Sequence, residues 1–191
     1  MSLINIINEN KKYDKQFSML YKKLPMKVNN DFTLTKEFIK SIQKEWIDAE
    51  PDKETLKVFN ERLYNWITYF IDVNTNGGKL YRIISVNHEL EIKLNKEELG
   101  QHWTNYKGLE DINEYLGTEF GIPTFGDYIA IIVIDTPPNN ISIVDVNFVD
   151  WSNEQEYTIV DLSKISIKKV LLARGINGDY KNLDLKKYGI N

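Results

Sequence analysis

The chain has 191 residues, a net charge of −4, 42% hydrophobic and 27% charged residues, which is one domain's worth of globular chain with or without a small lobe, and not a disordered or collagen-like polymer. The acidic balance argues against a nucleic-acid partner held by a basic footprint. With no Cys and only His88 and His102 as histidines, disulfide scaffolds, thiolate zinc sites, a cysteine nucleophile and an all-histidine metal centre all drop out, and no metal is expected.

In chain order, the N-terminus MSLINIINENKK has no basic start followed by a sustained apolar run, so no secretory signal is expected. The purely apolar stretch from Tyr128 to Ile134 is far short of the roughly 20 residues of a membrane helix. The expectation is a soluble protein, cytoplasmic or delivered into a host cytoplasm, with no membrane partner. Tyr13 to Leu24 reads as a helix with Phe17, Leu20 and Tyr21 inward. Thr35 is a helix cap followed by Phe38, Ile39, Ile42 and Trp46 at helical spacing, and Pro51 ends that helix. Asp52 caps the next, whose stripe is Leu56, Phe59, Leu63, Trp66, Ile67 and Phe70. The run Asn74-Thr75-Asn76-Gly77-Gly78 is a turn.

Past residue 75 the pattern changes to strands. Lys79–Val86 reads as a strand and His88–Leu94 as an extended piece; Leu109–Leu116 reads as a short helix and Gly121–Gly126 as a loop. Tyr128–Asp135 and Ile141–Phe148 flank a Pro137-Pro138-Asn139-Asn140 turn, which suggests a hairpin. Glu156–Val160 and Ile165–Leu172 complete the strands, and the polar tail from Gly175 to Asn191 is expected to pack loosely. Helices first and short strands after predict an α+β fold, with a helical lobe over 1–74 and a β-rich core over 75–191.

Phosphate loops, dinucleotide fingerprints, HExxH and GxSxG are all absent. Three local features stand out instead. Leu80-Tyr81-Arg82 places an Arg in an otherwise apolar strand, and a buried guanidinium calls for an anionic partner. Gly100-Gln101-His102-Trp103-Thr104 is a small polar cluster around a Trp, followed by Asn105 and an expected helix. Glu154-Gln155-Glu156 sits at the mouth of a strand, where period-two geometry puts both carboxylates on one face, roughly 6–7 Å apart. Like charges that close resist joint ionisation unless a cation balances them.

In this order, the three features resemble the mono-ADP-ribosyltransferase family with Arg–Ser–Glu motifs, in particular its compact bacterial toxin and bacteriophage types. Leu80-Tyr81-Arg82 is similar to the aromatic-Arg strand. His102-Trp103-Thr104 falls where the Ser-Thr-Ser motif is expected, with His102 at the first Ser and Thr104 keeping a hydroxyl. Glu154-Gln155-Glu156, with Lys164–Val170 beyond it, resembles the Glu-x-Glu strand and the strand that follows. The resemblance spans roughly residues 75–172 and implies a split β-sandwich behind a helical lobe.

It also implies a chemistry: NAD⁺ as co-substrate, no metal, and a protein acceptor. Glu156 would stabilise the positive charge that develops as the N-glycosidic bond breaks, and Arg82 would hold phosphate through its planar fork. Thr104 and His102 would hold Glu156 in place, with Tyr81 and Trp103 completing the NAD⁺ side. Glu154 would orient and deprotonate the acceptor, the pattern that goes with arginine modification, and Trp151 would touch the target protein. Two alternatives stay open: a NAD⁺ glycohydrolase on the same fold, and an inactive module that only binds a protein.

Overall fold

The computed structural model describes residues 13–28, 32–49, 53–88, 91–107, 128–143, 155–175 and 179–190. The expected helix at 109–116, the loop at 121–126, Trp151 and Glu154 lie outside them. The protein is mixed α+β, and its described residues divide into one unit up to Ile71 and a second from Asp72 onward.

The described residues of the first unit form three helices and a short ribbon. Helix α1 covers 13–21, with Tyr13, Phe17 and Leu20 buried at helical spacing. The two-residue strands β1 (Met26–Lys27) and β2 (Thr33–Leu34) pair antiparallel. Helix α2 (Lys36–Ala49) starts where expected, because the Thr35 hydroxyl accepts the Phe38 N–H at 3.1 Å and satisfies one orphan donor of the first turn. Helix α3 (Lys53–Asn76) runs about 36 Å at 1.5 Å per residue. Polar contacts between the helices fix their register: Tyr13 Oη donates to Glu61 at 3.3 Å, and Gln43 Nε2 donates to Asn60 at 3.0 Å. Phe17 packs edge-on to Tyr64, with ring centroids 5.7 Å apart. Among the described residues, no helix is long and apolar enough to cross a membrane.

The last turn of α3 belongs to the second unit, and the expected five-residue turn after it shrinks to one residue. Asn74, Thr75 and Asn76 are helical, and Gly77 alone, at φ 74°, reverses the chain into β3 (Gly78–Val86). Its N–H closes on the Val73 carbonyl at 2.8 Å, and a Cβ there would meet the Thr136 carbonyl at 2.8 Å. The other strands are β4 (His102–Thr104), β5 (Tyr128–Thr136), β6 (Ile141–Ser142), β7 (Glu156–Ile159), β8 (Ser166–Arg174) and β9 (Lys181–Asn182). Among the described residues they form a seven-stranded sheet in the order β6-β7-β4-β3-β5-β8-β9, with every neighbouring pair antiparallel.

Three expectations from the sequence change. The hairpin expected between 128–135 and 141–148 does not form over the described residues 141–143, and 144–148 lie outside them. Both edges of β5 are taken, by β3 over nine residue pairs and by β8, so β6 crosses to pair with β7. The six consecutive buried residues Ile129–Ile134 carry the mark of such a central strand, buried on both faces. Asn140 secures the crossing: its amide accepts from Asp161 N–H at 3.0 Å and donates to the Asp161 carbonyl at 3.1 Å. The C-terminal tail is not loose throughout, because Lys181–Asn182 adds the edge strand β9 to β8. Of the extended or strand-like piece expected at 88–94, the described residues 88 and 91–94 join no ladder; Ile92 and Leu94 are buried from irregular backbone that leads into a short 3₁₀ turn at Lys96–Glu98.

One feature of the sheet positions the site. A single residue pair, Tyr81 with Thr104, joins β3 to β4. The sheet is therefore two ladders, β6-β7-β4 and β3-β5-β8-β9, linked at one point.

Candidate functional site

The three motif strands lie side by side in the order β7-β4-β3, although Arg82 and Glu156 stand 74 positions apart in the chain. Register places Tyr81 opposite Thr104 and Thr104 opposite Glu156, so these three side chains form one cross-strand row on one face. His102 lies two residues from Thr104 on that face, and its Nδ1 meets Glu156 Oε1 at 3.2 Å. The His102 side chain is 54% exposed and that of Glu156 28%. A pair this wet contributes at most about 1 kcal/mol to stability, so its geometry matters more than its energy.

Arg82 sits where the two ladders part. Beyond the Tyr81–Thr104 pair the β3–β4 ladder stops, and Arg82 Nη1 donates to the main-chain carbonyl of His102 at 3.2 Å. Burial lowers the guanidinium's pKa below its ordinary value, and the negative charge of Glu156 opposes that shift. Glycine makes the space. Gly100 is at φ 71°, and a Cβ there would lie 2.7 Å from Arg82 Nη1. Gly100→Ala should therefore cost about 1–2 kcal/mol through the left-handed backbone and push the guanidinium out of place. Urea unfolding checks this, and an unchanged midpoint would disprove it.

The remaining predicted residues divide. Tyr81 is partly buried, with its ring edge-on to Tyr106 at 6.0 Å. Burial, then Tyr106 and Asp135, hold its phenol above the usual range, so it stays a neutral hydrogen-bonding group. Trp103 is a core residue, not a surface for NAD⁺: it is 1% exposed and its indole N–H donates to the Gly100 carbonyl at 3.0 Å, bracing the loop that faces Arg82. The period-two argument for the carboxylates also changes. Strand β7 begins at Glu156, and Gln155 before it is at φ 37°, so the extended repeat that placed Glu154 on the face of Glu156 does not run through Gln155.

Sequence reasoning placed Gly100, Asn105, Gln155 and Tyr157 in or beside the motif segments but gave them no role, and it missed Tyr106. Asn105 Nδ2 donates to Gln155 Oε1 at 2.7 Å and to the Tyr157 hydroxyl at 2.9 Å, all three residues being buried. Gln155 lay within the Glu154-Gln155-Glu156 motif and Asn105 directly after Thr104, but nothing in the sequence pointed to their contact. A separate open cavity of about 800 Å³ between β8, β9 and the C-terminal turn is lined by Arg174, Lys181, Lys187, Asp179 and Asp184, and by none of the predicted site residues. Among the described residues, no group of three His, Cys, Asp or Glu could hold a metal ion. Comparison with protein-family models, with curated proteins and with solved structures finds no match to this chain.

Proposed function

We propose that the protein is a mono-ADP-ribosyltransferase that uses NAD⁺ and modifies a protein side chain, with arginine as the acceptor. The observation that carries this reading is the convergence of the three motifs on neighbouring strands: His102 Nδ1 on Glu156 at 3.2 Å, and Arg82 on the His102 carbonyl at 3.2 Å. The two ladders linked by one pair also suit the split β-sandwich that the resemblance implies.

The chemistry follows from the charges. In NAD⁺ the leaving nicotinamide is already cationic. The bond from its ring nitrogen to the ribose carbon breaks, the electron pair goes to the ring, and the ribose takes on oxocarbenium character. A carboxylate against that carbon, with a hydrogen bond from the 2′-hydroxyl, is the group the step needs, and Glu156 fills that role. His102 takes the place of a hydroxyl in holding Glu156. Arg82 binds phosphate oxygens. The acceptor guanidinium loses a proton to Glu154 and its nitrogen forms the new bond to the ribose carbon.

The test is labelled NAD⁺ with a cell lysate, followed by nicotinamide quantification and mass spectrometry of modified peptides. ADP-ribosyl-arginine with stoichiometric nicotinamide is expected; neither product would sink the reading. Arg82→Ala should weaken NAD⁺ affinity about 10- to 150-fold, since a charge-assisted bidentate contact is worth roughly 1.5–3 kcal/mol. Arg82→Lys should recover only part, lacking the fork. Calorimetry giving equal affinity for wild type and Arg82→Ala would remove Arg82 from the site.

A further inference from the structure

The residue that delivers Glu156 to its strand has an unusual backbone. Gln155 is at φ 37°, inside the left-handed region, although it carries a side chain and is only 3% exposed. A residue with a Cβ enters that region at a cost and stays there only when its surroundings hold it. The holding groups come from the end of β4. Thr104 Oγ1 donates to the Gln155 carbonyl at 3.5 Å, and Asn105 Nδ2 donates to Gln155 Oε1 at 2.7 Å. The same Asn105 nitrogen also donates to the Tyr157 hydroxyl at 2.9 Å. One buried amide thus grips the residue before Glu156 and the residue after it, and it follows Thr104, the cross-strand partner of Glu156.

We propose that Asn105 is the positioning residue of this site: by clamping Gln155 and Tyr157 it keeps Gln155 left-handed and so sets the Glu156 carboxylate against His102. The catalytic consequence rests on the reading of Glu156 as the group that acts on NAD⁺; the backbone consequence does not. The clamp is separable from ordinary core stabilisation by the sign of a glycine substitution. Glycine takes positive φ without a Cβ penalty, but it raises the entropy of the unfolded chain. It therefore relieves a lost clamp and worsens a merely destabilised fold.

The experiment compares Asn105→Ala, Gln155→Gly, Gln155→Val and the Asn105→Ala/Gln155→Gly double variant in the full chain. It reads steady-state nicotinamide release and amide hydrogen exchange of residues 156–159. Asn105→Ala should lower kcat roughly 5- to 30-fold with KM within about twofold, the span of the left-handed penalty. It should also speed exchange of the β7 amides, and adding Gln155→Gly should restore most of both. Gln155→Gly alone should stay within about threefold of wild type, whereas Gln155→Val, with a β-branched side chain at positive φ, should lose about as much as Asn105→Ala. If glycine deepens the Asn105→Ala defect, or if Gln155→Gly costs as much as Gln155→Val, the clamp is wrong. The Gln155 pair decides this even where Asn105→Ala fails to fold. A wild type that releases no nicotinamide overturns the proposed function, and the exchange pattern across the four variants then decides the clamp by itself.

Discussion

Glu156→Gln should lower the turnover of nicotinamide release by a factor of roughly 10²–10³, the typical cost of removing one preorganised group aimed at developing charge. The substitution is nearly isosteric and keeps a hydrogen-bonding side chain, so it removes the charge and little else. It also alters the contact with His102 Nδ1. Because those side chains are 54% and 28% exposed, that change costs at most about 1 kcal/mol of stability, and the variant should fold. Thermal unfolding of Glu156→Gln beside wild type provides the control: near-equal midpoints with collapsed turnover isolate the chemical role. Affinity for NAD⁺, measured by calorimetry, should change far less than turnover, since the lost interaction belongs to the transition state. Release at the wild-type rate would take Glu156 out of the reaction.

Glu154→Gln should uncouple two steps that Glu156→Gln stops together. Bond cleavage does not need a base on the acceptor, and water can attack an oxocarbenium-like carbon unaided. A guanidinium must be oriented and deprotonated, and a positioned general base contributes about 10²–10⁴-fold. Glu154→Gln should thus keep measurable nicotinamide release and lose arginine labelling by a factor in that range. The two readouts come from one incubation with labelled NAD⁺, by nicotinamide quantification and peptide mass spectrometry. Arginine labelling at the wild-type level would end the acceptor role. A wild type that releases nicotinamide without labelling protein would make the protein a glycohydrolase, and one that does neither would leave a binding module.

Local physics was legible in the residues. Thr35 capped its helix, the stripe from Phe59 to Phe70 lay along α3, and the unbroken apolar run at 129–134 became a strand buried on both faces. These depend on neighbours three or four positions away, or on composition within one strand, so one dimension suffices. An Arg inside an apolar strand was visible as an anomaly for the same reason.

Tertiary structure alone decided who pairs with whom. The turn at Pro137–Asn140 looked like a hairpin because sequence adjacency favours one, yet β3 and β8 occupied both edges of β5 and sent β6 to β7. That choice aligned β7, β4 and β3 and laid Glu156, Thr104 and Tyr81 in one row. The single β3–β4 pair, the space above Gly100 that admits Arg82, and the left-handed Gln155 held by Asn105 were equally invisible beforehand. A strand offers its hydrogen bonds edgewise, to any segment that topology brings alongside, and periodicity records only which face is buried. Residue types suggested the chemistry we propose; non-local pairing set the distances between the groups.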